Sequence, residues 1–135
     1  MVEKTLAIIK PDAIKKKLTG KIIQRIEDEG FKISSLRMLH LSKEKAKGFY
    51  IIHKDRQFYE SLTDFMSSGE IVIMVLERED AISRWRQVMG VTDPALAEPG
   101  TLRQMFGFSI ERNAAHGSDS PTTAEWEINY FYKKE

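Results

Sequence analysis

The chain has 135 residues, 41% of them hydrophobic and 30% charged, and it contains no cysteine. The length predicts a single domain over residues 1–135, and the lack of cysteine excludes disulfides, thiolate catalysis and cysteine-based zinc sites. The net charge is +1, so bulk charge gives no reason to expect nucleic acid or an acidic membrane as a partner.

The sequence has neither the pattern of a membrane span nor that of a signal peptide. The longest apolar run, Ile71–Leu76, is far shorter than the roughly 20 residues that cross a membrane. The N-terminal residues, Met1-Val2-Glu3-Lys4, begin a strand-like run without a signal-peptide layout. We therefore expect a cytoplasmic protein.

The first third of the chain predicts a strand, a helix and a second strand. Leu6–Ile9 is a short apolar run that stops at Lys10-Pro11-Asp12, where proline favours the first turn of a helix. Apolar residues then recur every four positions, which predicts one amphipathic helix over residues 12–29. Residues 31–41 predict a strand, with a twist or bulge where the alternation breaks at Ser34-Ser35.

The middle of the chain predicts helices on either side of a buried strand. Residues 42–68 are rich in helix formers and predict two short helices, the first capped by Ser42. The run Ile71–Leu76 lacks alternation, which predicts a strand covered on both faces at the centre of a sheet. Residues 79–89 predict a third helix, which Gly90 ends.

The last third contains a long segment without a clear period. An irregular stretch such as residues 90–112 is unusual in so small a domain and is more often functional than idle. A short strand follows, and Ser120 and Pro121 then begin a final helix that reaches about Phe131. The whole order of elements predicts an α+β or α/β fold with helices packed on a small sheet.

One of the three histidines stands out as a candidate for chemistry. His116 has alanine before it and glycine after it, so its ring is accessible, and hydroxyls and a carboxylate lie within four residues of it. The neighbouring helix N-terminus favours anions. These features fit a nucleophilic or acid–base histidine in an anion-binding pocket and, more weakly, a capped turn. For His40 and His53 a structural role is favoured.

Other candidates for binding phosphate are scattered along the chain. Lys10 falls at a strand-to-helix junction, where backbone N–H groups point outward. Arg86 lies on the third predicted helix, and Thr92 and Arg103 belong to the long irregular segment. Taken singly, each of them is better explained without a ligand: Lys10 as a solvated side chain and Arg86 as a cation that the dipole of its helix favours.

Several familiar sites are excluded. Gly20-Lys21 lacks the flanking residues of a P-loop, and no G-x-G-x-x-G motif is present. His116, Ser118 and Asp119 are too close in sequence to converge as a hydrolase triad, and no G-x-S-x-G elbow exists.

Asn113–Ser120 resembles the active-site signature of nucleoside diphosphate kinases, N-x-x-H-G-S-D-S, and matches it without a gap. The resemblance covers essentially the whole chain, because further segments match the family in its order and spacing: Lys10-Pro11-Asp12-Ala13, Phe49-Tyr50, Asp93-Pro94 and Gly100-Thr101-Leu102-Arg103.

This resemblance implies an activity. The family transfers the γ-phosphoryl of a nucleoside triphosphate to a nucleoside diphosphate through a phosphohistidine, in a ping-pong sequence. Neutral imidazole is a suitable nucleophile and leaving group for that chemistry. The enzyme must otherwise position phosphates and offset developing charge, which accounts for cations and hydroxyls in the site.

The resemblance also implies a role for individual residues. His116 matches the nucleophile, Lys10 and Tyr50 lie beside the transferred phosphoryl, and Glu127 with Ser118 orients the imidazole. The remaining nucleotide-binding positions match as follows: phosphates at Arg86, Thr92 and Arg103, base stacking at Phe58, the outer face of the base pocket at Ile110, and the ribose hydroxyl at Asn113.

The implied metal is Mg²⁺, carried on the nucleotide phosphates and not by a protein cage. Stacking on Phe58 implies broad base specificity, since every base has a π-face. The implied fold is a ferredoxin-like βαββαβ sandwich, a four-stranded antiparallel sheet covered by helices. The implied assembly is a homo-oligomer built from dimers, with tetramer and hexamer both open because the chain ends soon after the last helix.

A few positions depart from the family pattern. Lys16-Lys17 stands where many relatives have a basic residue followed by Gly or Asn, and Gln57 stands where Pro is frequent. Trp85 replaces a smaller or polar residue, and we expect its ring to enlarge the buried contact of its helix more than to touch substrate.

Three alternative functions remain to be weighed. A non-catalytic nucleotide-binding module is disfavoured because binding alone does not require His116. A nucleic-acid binder using Lys15-Lys16-Lys17 and residues 43–47 is disfavoured because acidic residues lie nearby and the net charge is near zero. A histidine-based hydrolase is disfavoured by the absence of an elbow motif and of metal ligands.

Overall fold

The computed structural model describes residues 2–132. The strands are β1 (Val2–Ile9), β2 (Lys32–His40), β3 (Glu70–Glu79) and β4 (Ala115–Gly117). The helices are α1 (Pro11–Lys15), α2 (Thr19–Asp28), α3 (Lys43–Phe49), α4 (Tyr59–Met66), α5 (Ala81–Met89), α6 (Leu102–Phe106) and α7 (Pro121–Tyr132), with 3₁₀ turns at Ile51–His53 and Pro94–Leu96.

The four strands form one sheet in the order β2-β3-β1-β4. Every neighbouring pair is antiparallel, and β1 lies between β3 and β4. This arrangement confirms the expected ferredoxin-like βαββαβ sandwich. It also confirms that the Ile71–Leu76 run is an interior strand, since β3 pairs with both β1 and β2. The break at Ser34-Ser35 is a register shift between Ile33 and Ser35.

Both faces of the sheet are covered because the interior strands carry apolar residues at successive positions. On one face, Ala7, Ile9 and Met74 pack with the buried residues of α2 and α5. On the other face, Ile8 and Ile73 pack with residues of α3, α4 and α7. The site described below lies where β1 and β4 meet these two layers.

The helix expected over residues 12–29 is two helices. α1 ends at Lys15 and α2 begins at Thr19, with Lys17 between them in the left-handed region at φ 62°. The four-residue apolar period continues across this break, which is why the sequence indicates one helix. This conformation explains why many relatives have Gly or Asn where this chain has Lys17, because Gly and Asn tolerate a positive φ.

Two other boundaries differ from expectation. β3 continues to Glu79, and α5 begins only at Ala81, after Asp80 at φ 53°. The segment over residues 90–112 is not wholly irregular, because it contains the 3₁₀ turn and α6. The side chain of Thr101 caps α6 by accepting a hydrogen bond from the Gln104 amide.

Other local predictions are confirmed. Ser42 caps α3, its hydroxyl accepting from the Lys45 amide, and Gly90 ends α5 at φ 88°. Ser120 Oγ accepts from the Thr123 amide at the start of α7. Trp85 is fully buried on α5, as expected of a packing residue. Within residues 2–132, no helix has the length and apolar character needed to cross a membrane.

Candidate active site

A cleft of about 790 Å³ opens beside β4 and the N-terminal end of α1. It gathers most of the residues that the sequence singled out, although they come from widely separated parts of the chain. Those that line it are Lys10, Tyr50, Arg86, Thr92, Arg103, Ile110, Asn113 and His116. Three more candidates lie outside the lining, namely Phe58, Ser118 and Glu127.

His116 is the central residue of β4, where it pairs with Ile8 of β1. Its ring lies against two aromatic rings at the end of α3: the ring centroids are 5.4 Å from Phe49 and 6.2 Å from Tyr50, both in edge-on geometry. Pairing with β1 thus fixes the backbone of His116, and the aromatic rings at the end of α3 pack against its side chain. The imidazole is held in one orientation at the edge of the cleft.

Glu127 and Ser118 hold the far side of the imidazole. His116 Nε2 lies 3.0 Å from Glu127 Oε1, and Ser118 Oγ donates to the same oxygen at 2.7 Å. Because an ionised carboxylate only accepts hydrogen bonds, the proton of the neutral ring lies on Nε2. Nδ1 therefore carries the free electron pair. Ser118 is itself held by β1, since the Leu6 amide donates to its hydroxyl at 3.2 Å.

Lys10 lies between β1 and α1 and is buried, with 7% of its surface exposed. Its ammonium donates to Asn113 Oδ1 at 2.8 Å. Burial lowers the pKa of Lys10 to about 8, with a smaller contribution from the positive charge of Arg103. A buried cation beside another cation is costly unless an anion joins it. This cost marks the end of β1 as a place for a negatively charged ligand.

Arg103 is the second cation of the cleft and is partly buried. Its guanidinium donates to the carbonyl oxygens of Gly90 at 2.9 Å and Ala115 at 2.8 Å, which ties α6 to the end of α5 and to β4. Burial, and next the positive charge of Arg86, lower the pKa of Arg103 to about 10. The Arg103 Nε–H is buried and has no hydrogen-bond partner within residues 2–132.

Arg86 is the most exposed of the three cations and pairs with Asp119. The charge of Arg103 lowers the pKa of Lys10, and the charge of Arg86 lowers the pKa of Arg103, so neighbouring cations in this series are close enough to repel one another. The near-zero net charge of the chain therefore conceals a concentration of positive charge in this cleft.

Tyr50 supplies a hydroxyl to the same cleft. Burial, and next the negative charge of Glu127, raise the pKa of Tyr50 above its ordinary value. The phenol therefore stays protonated and can act as a donor. Its oxygen is buried and has no hydrogen-bond partner among the described residues, so this donor is available to a ligand.

The remaining candidates lie around the rim. The backbone carbonyl of Thr92 accepts a hydrogen bond from the side-chain Nδ2 of Asn113 at 2.9 Å. Ile110 is largely exposed. The Phe58 ring is 45% exposed at the start of α4, and its centroid is 5.4 Å from that of His53. His53 itself lines the cleft.

The carboxylates do not form a metal cage. Within the described part of the chain, no group of three or more His, Cys, Asp or Glu side chains is placed to hold a metal ion.

Comparison with known proteins shows the family of the chain. The family model described as nucleoside diphosphate kinase matches residues 3–135. The chain belongs to the nucleoside diphosphate kinase family. The nucleoside diphosphate kinase of Desulfovibrio desulfuricans is 56% identical over 132 residues, which are 98% of this chain and 95% of that protein. That of Geobacter sulfurreducens is 53% identical, covering 98% of this chain and 97% of its own.

Solved structures of the family share the fold. The nucleoside diphosphate kinase of Aquifex aeolicus matches with a TM-score of 0.96 at 46% identity, covering 98% of this chain and 96% of that one. A halophilic nucleoside diphosphate kinase from Halobacterium salinarum, solved in complex with CDP, matches with a TM-score of 0.95 at 35% identity over 99% of this chain and 90% of its own. The chain is thus a phosphotransferase of this enzyme class.

Two features of this nucleoside diphosphate kinase site were missed by the sequence reasoning. His53 was assigned a structural role, yet it lines the cleft next to Phe58. Its position three residues after Tyr50 and five residues before Phe58, both of which match the family, would have been a usable signal.

The second missed feature is the contact between Asp12 and Ala114. Ala114 is buried in the left-handed region at φ 77°, and its amide donates to Asp12 Oδ2 at 3.1 Å, while its carbonyl accepts from the Lys10 amide at 2.9 Å. Burial raises the pKa of Asp12. These two contacts hold Ala114 in its strained conformation two residues before His116, so Asp12 stabilises the backbone that leads to the histidine.

Proposed function

We propose that the chain transfers the γ-phosphoryl of a nucleoside triphosphate to a nucleoside diphosphate in a ping-pong sequence, with a phosphohistidine on His116 as intermediate. The observation that carries the proposal is the hydrogen bond of 3.0 Å between His116 Nε2 and Glu127. It leaves Nδ1 as the nucleophilic nitrogen of a ring that lines a cationic cleft.

In the first half-reaction the electron pair of Nδ1 attacks the γ-phosphorus. The N–P bond forms as the bond to the β–γ bridging oxygen breaks, and the nucleoside diphosphate leaves with that oxygen. In the second half-reaction a terminal β-phosphate oxygen of another nucleoside diphosphate attacks the phosphorus, and His116 is the leaving group. Donor and acceptor can thus use one site in turn.

The three cations would bind the phosphates and offset charge that develops during transfer. Lys10 and the Tyr50 hydroxyl would act at the transferred phosphoryl, because each is buried and Tyr50 has a donor without a partner. Arg86, Arg103 and Thr92 would hold the remaining phosphates. Glu127 and Ser118 would orient the ring and stabilise its positive character as the N–P bond forms.

The nucleoside would lie toward the rim of the cleft. Phe58 is half-exposed and would stack on the base, with Ile110 on the other side. This contact predicts broad base specificity, since stacking does not read hydrogen-bonding edges. Asn113 would contact the ribose hydroxyl. Its amide group is already bonded to Lys10 and to Thr92, so the ribose would share its carbonyl oxygen or the second amide hydrogen.

Mg²⁺ would enter as part of the nucleotide substrate, bridging phosphate oxygens and keeping its waters. We further propose a cytoplasmic homo-oligomer built from dimers, as a tetramer or a hexamer, and no nucleic-acid partner.

A labelling experiment tests the proposal. The protein is incubated with γ-labelled ATP, separated from nucleotide and examined for a label that is labile in acid and stable in alkali. We expect that label on the wild type, its discharge onto added GDP, and its absence from His116→Ala. An unlabelled wild type, or an equally labelled His116→Ala protein with intact circular dichroism, would refute the phosphohistidine.

A further inference from the structure

Trp85 lies directly beneath the backbone of β4. It is fully buried on α5, and its ring meets the Phe31 ring edge-on at 6.0 Å. Its indole Nε1–H donates to the backbone carbonyl of His116 at 3.1 Å. A side chain that does not line the cleft therefore contacts the backbone of the residue at its centre.

β4 needs this contact because it is short and lies at the edge of the sheet. Its three residues pair only with β1, through Ala7, Ile8 and Ile9. The hydrogen bond from the Lys10 amide to the Ala114 carbonyl sets the alternation of the ladder, which makes Ile8 and His116 a hydrogen-bonded pair. A carbonyl oxygen has two lone pairs, and the Trp85 N–H is a second donor to the His116 carbonyl, which ties this short edge strand to α5 as well as to β1.

Side chains of α5 also pack against one face of β4, perpendicular to the plane of the sheet. A Cβ atom at Gly117 would lie 2.5 Å from Cδ1 of Trp85 and 2.7 Å from Cε of Met89, so the indole is in close contact with the strand backbone. Successive residues of a strand point to opposite faces. The indole therefore lies on the Gly117 side of β4, and the imidazole of His116 projects to the other side, toward Phe49 and Tyr50.

The nucleophile is thus held twice, by its ring and by its backbone. Glu127 and the α3 aromatic rings hold the imidazole, and Trp85 holds the peptide to which it is attached. We propose that Trp85 is a positioning residue for phosphoryl transfer, acting through its hydrogen bond to the His116 carbonyl. The proposal rests on the function proposed above, since it concerns the reactivity of the same histidine.

The expected consequence follows from the sensitivity of transfer reactions to placement. A displacement of 1 Å can cost on the order of 100-fold in rate. Loss of one backbone anchor permits a smaller shift, so we expect about a tenfold slower formation of the phosphohistidine. Nucleotide binding should change little, because the indole does not line the cleft and the three cations stay in place.

A single-atom change tests this without removing bulk. The chain has two tryptophans, so in a Trp126→Phe background the analogue β-(3-benzothienyl)alanine can replace Trp85 alone. The analogue has sulfur in place of the indole N–H and nearly the same shape. Trp126 is half-exposed on α7 and is not a cleft residue, so Trp126→Phe with natural Trp85 is the matched control. Trp85→Phe provides a second, genetically encoded comparison.

Two quantities are measured for each protein: the single-turnover rate of label transfer from γ-labelled ATP to the enzyme, and the ADP dissociation constant by calorimetry. We expect the analogue and Trp85→Phe to be labelled about tenfold more slowly, with ADP affinity within twofold of the control. An unchanged labelling rate would overturn the positioning role, and so would an ADP affinity that falls by the same factor as the rate.

The two proposals fail in different ways. If the Trp126→Phe control acquires no label, or His116→Ala acquires it equally, the phosphohistidine itself is wrong. If the control is labelled on His116 and discharged by GDP while the analogue protein matches its rate, the phosphohistidine stands and the role of Trp85 is wrong.

Discussion

The Glu127 carboxylate of α7 lies 3.0 Å from the imidazole Nε2 of His116 on β4. The same Oε1 accepts from Ser118, which the Leu6 amide holds in turn. One carboxylate oxygen thus links α7, β4 and β1. The arrangement determines which imidazole nitrogen is free, and that choice determines what the cleft can do.

Removing the charge of Glu127 should slow phosphohistidine formation. Glu127→Gln keeps an oxygen for the imidazole N–H but loses the negative charge that stabilises the ring as its N–P bond forms. We expect labelling to slow by about 10- to 100-fold. ¹⁵N NMR of the imidazole should show the proton on Nε2 in the wild type and a mixture of tautomers in Glu127→Ala. Wild-type labelling rates in both variants would contradict this role.

Nucleotide affinity should weaken above pH 8 because of Lys10. Burial lowers its pKa to about 8, whereas a bound phosphate favours the charged form, so binding takes up a proton when the free lysine is neutral. Affinity for a nucleoside diphosphate should therefore fall by up to about tenfold for each pH unit above 8. The measurement is calorimetry between pH 7.5 and pH 9.0 in buffers of different ionisation enthalpy, a range that stays below the pKa of Arg103, which is about 10.

Lys10→Met and Lys10→Arg provide the controls for that profile. Neither variant has a group at this position that titrates between pH 8 and pH 9.0, so each should bind with a flat pH dependence and without the associated proton uptake. A profile in Lys10→Met as steep as that of the wild type would assign the titration to another group.

Phe58→Ala should weaken binding of every nucleotide to a similar extent. Loss of a stacking ring costs about 1–3 kcal/mol per base, and the partner of the ring is a π-face common to purines and pyrimidines. Dissociation constants for ADP, GDP and CDP should be compared with those of Phe108→Ala, which removes an exposed ring that does not line the cleft. Unchanged affinity in Phe58→Ala would remove Phe58 from the site.

Lys17→Gly should stabilise the fold. Lys17 sits at φ 62° between α1 and α2, a conformation that costs an L-residue roughly 1–2 kcal/mol. Glycine adopts it freely but gives up about 0.5–1 kcal/mol of backbone entropy on folding. We expect a net gain of about 0.5–1 kcal/mol in the free energy of urea unfolding.

Lys16→Gly is the matched control for that substitution. Lys16 has an ordinary φ of −82°, so glycine there has no strain to relieve and should lower stability. Equal effects of the two substitutions would show that the positive φ of Lys17 is not a source of strain.

The sequence predicted those parts of the structure that depend on local signals. The Ser42 cap and the doubly covered strand at Ile71–Leu76 were both found, because cap chemistry and non-alternating apolar runs act over a few residues. The signature over residues 113–120 indicated His116 as the candidate nucleophile. These signals are strong because the residues that produce each of them lie within one short segment of the chain.

The sequence did not predict what depends on distant contacts. The apolar period continues through Lys17, so the break between α1 and α2 has no local mark other than a departure from the family pattern. Ala114 adopts a positive φ without being glycine, and the contact that holds it comes from Asp12, 102 residues away. Such strained positions are maintained by tertiary structure and cannot be inferred from propensity.

The most direct test of the central claim is kinetic. Rapid mixing with γ-labelled ATP followed by acid-free quenching gives the rate at which label appears on His116, and mixing the labelled protein with GDP gives the rate of discharge. Both rates should equal or exceed the steady-state turnover number, and His116→Ala should have neither label nor turnover. Label that forms or discharges more slowly than turnover, or a His116→Ala protein that still turns over, would contradict the phosphohistidine mechanism.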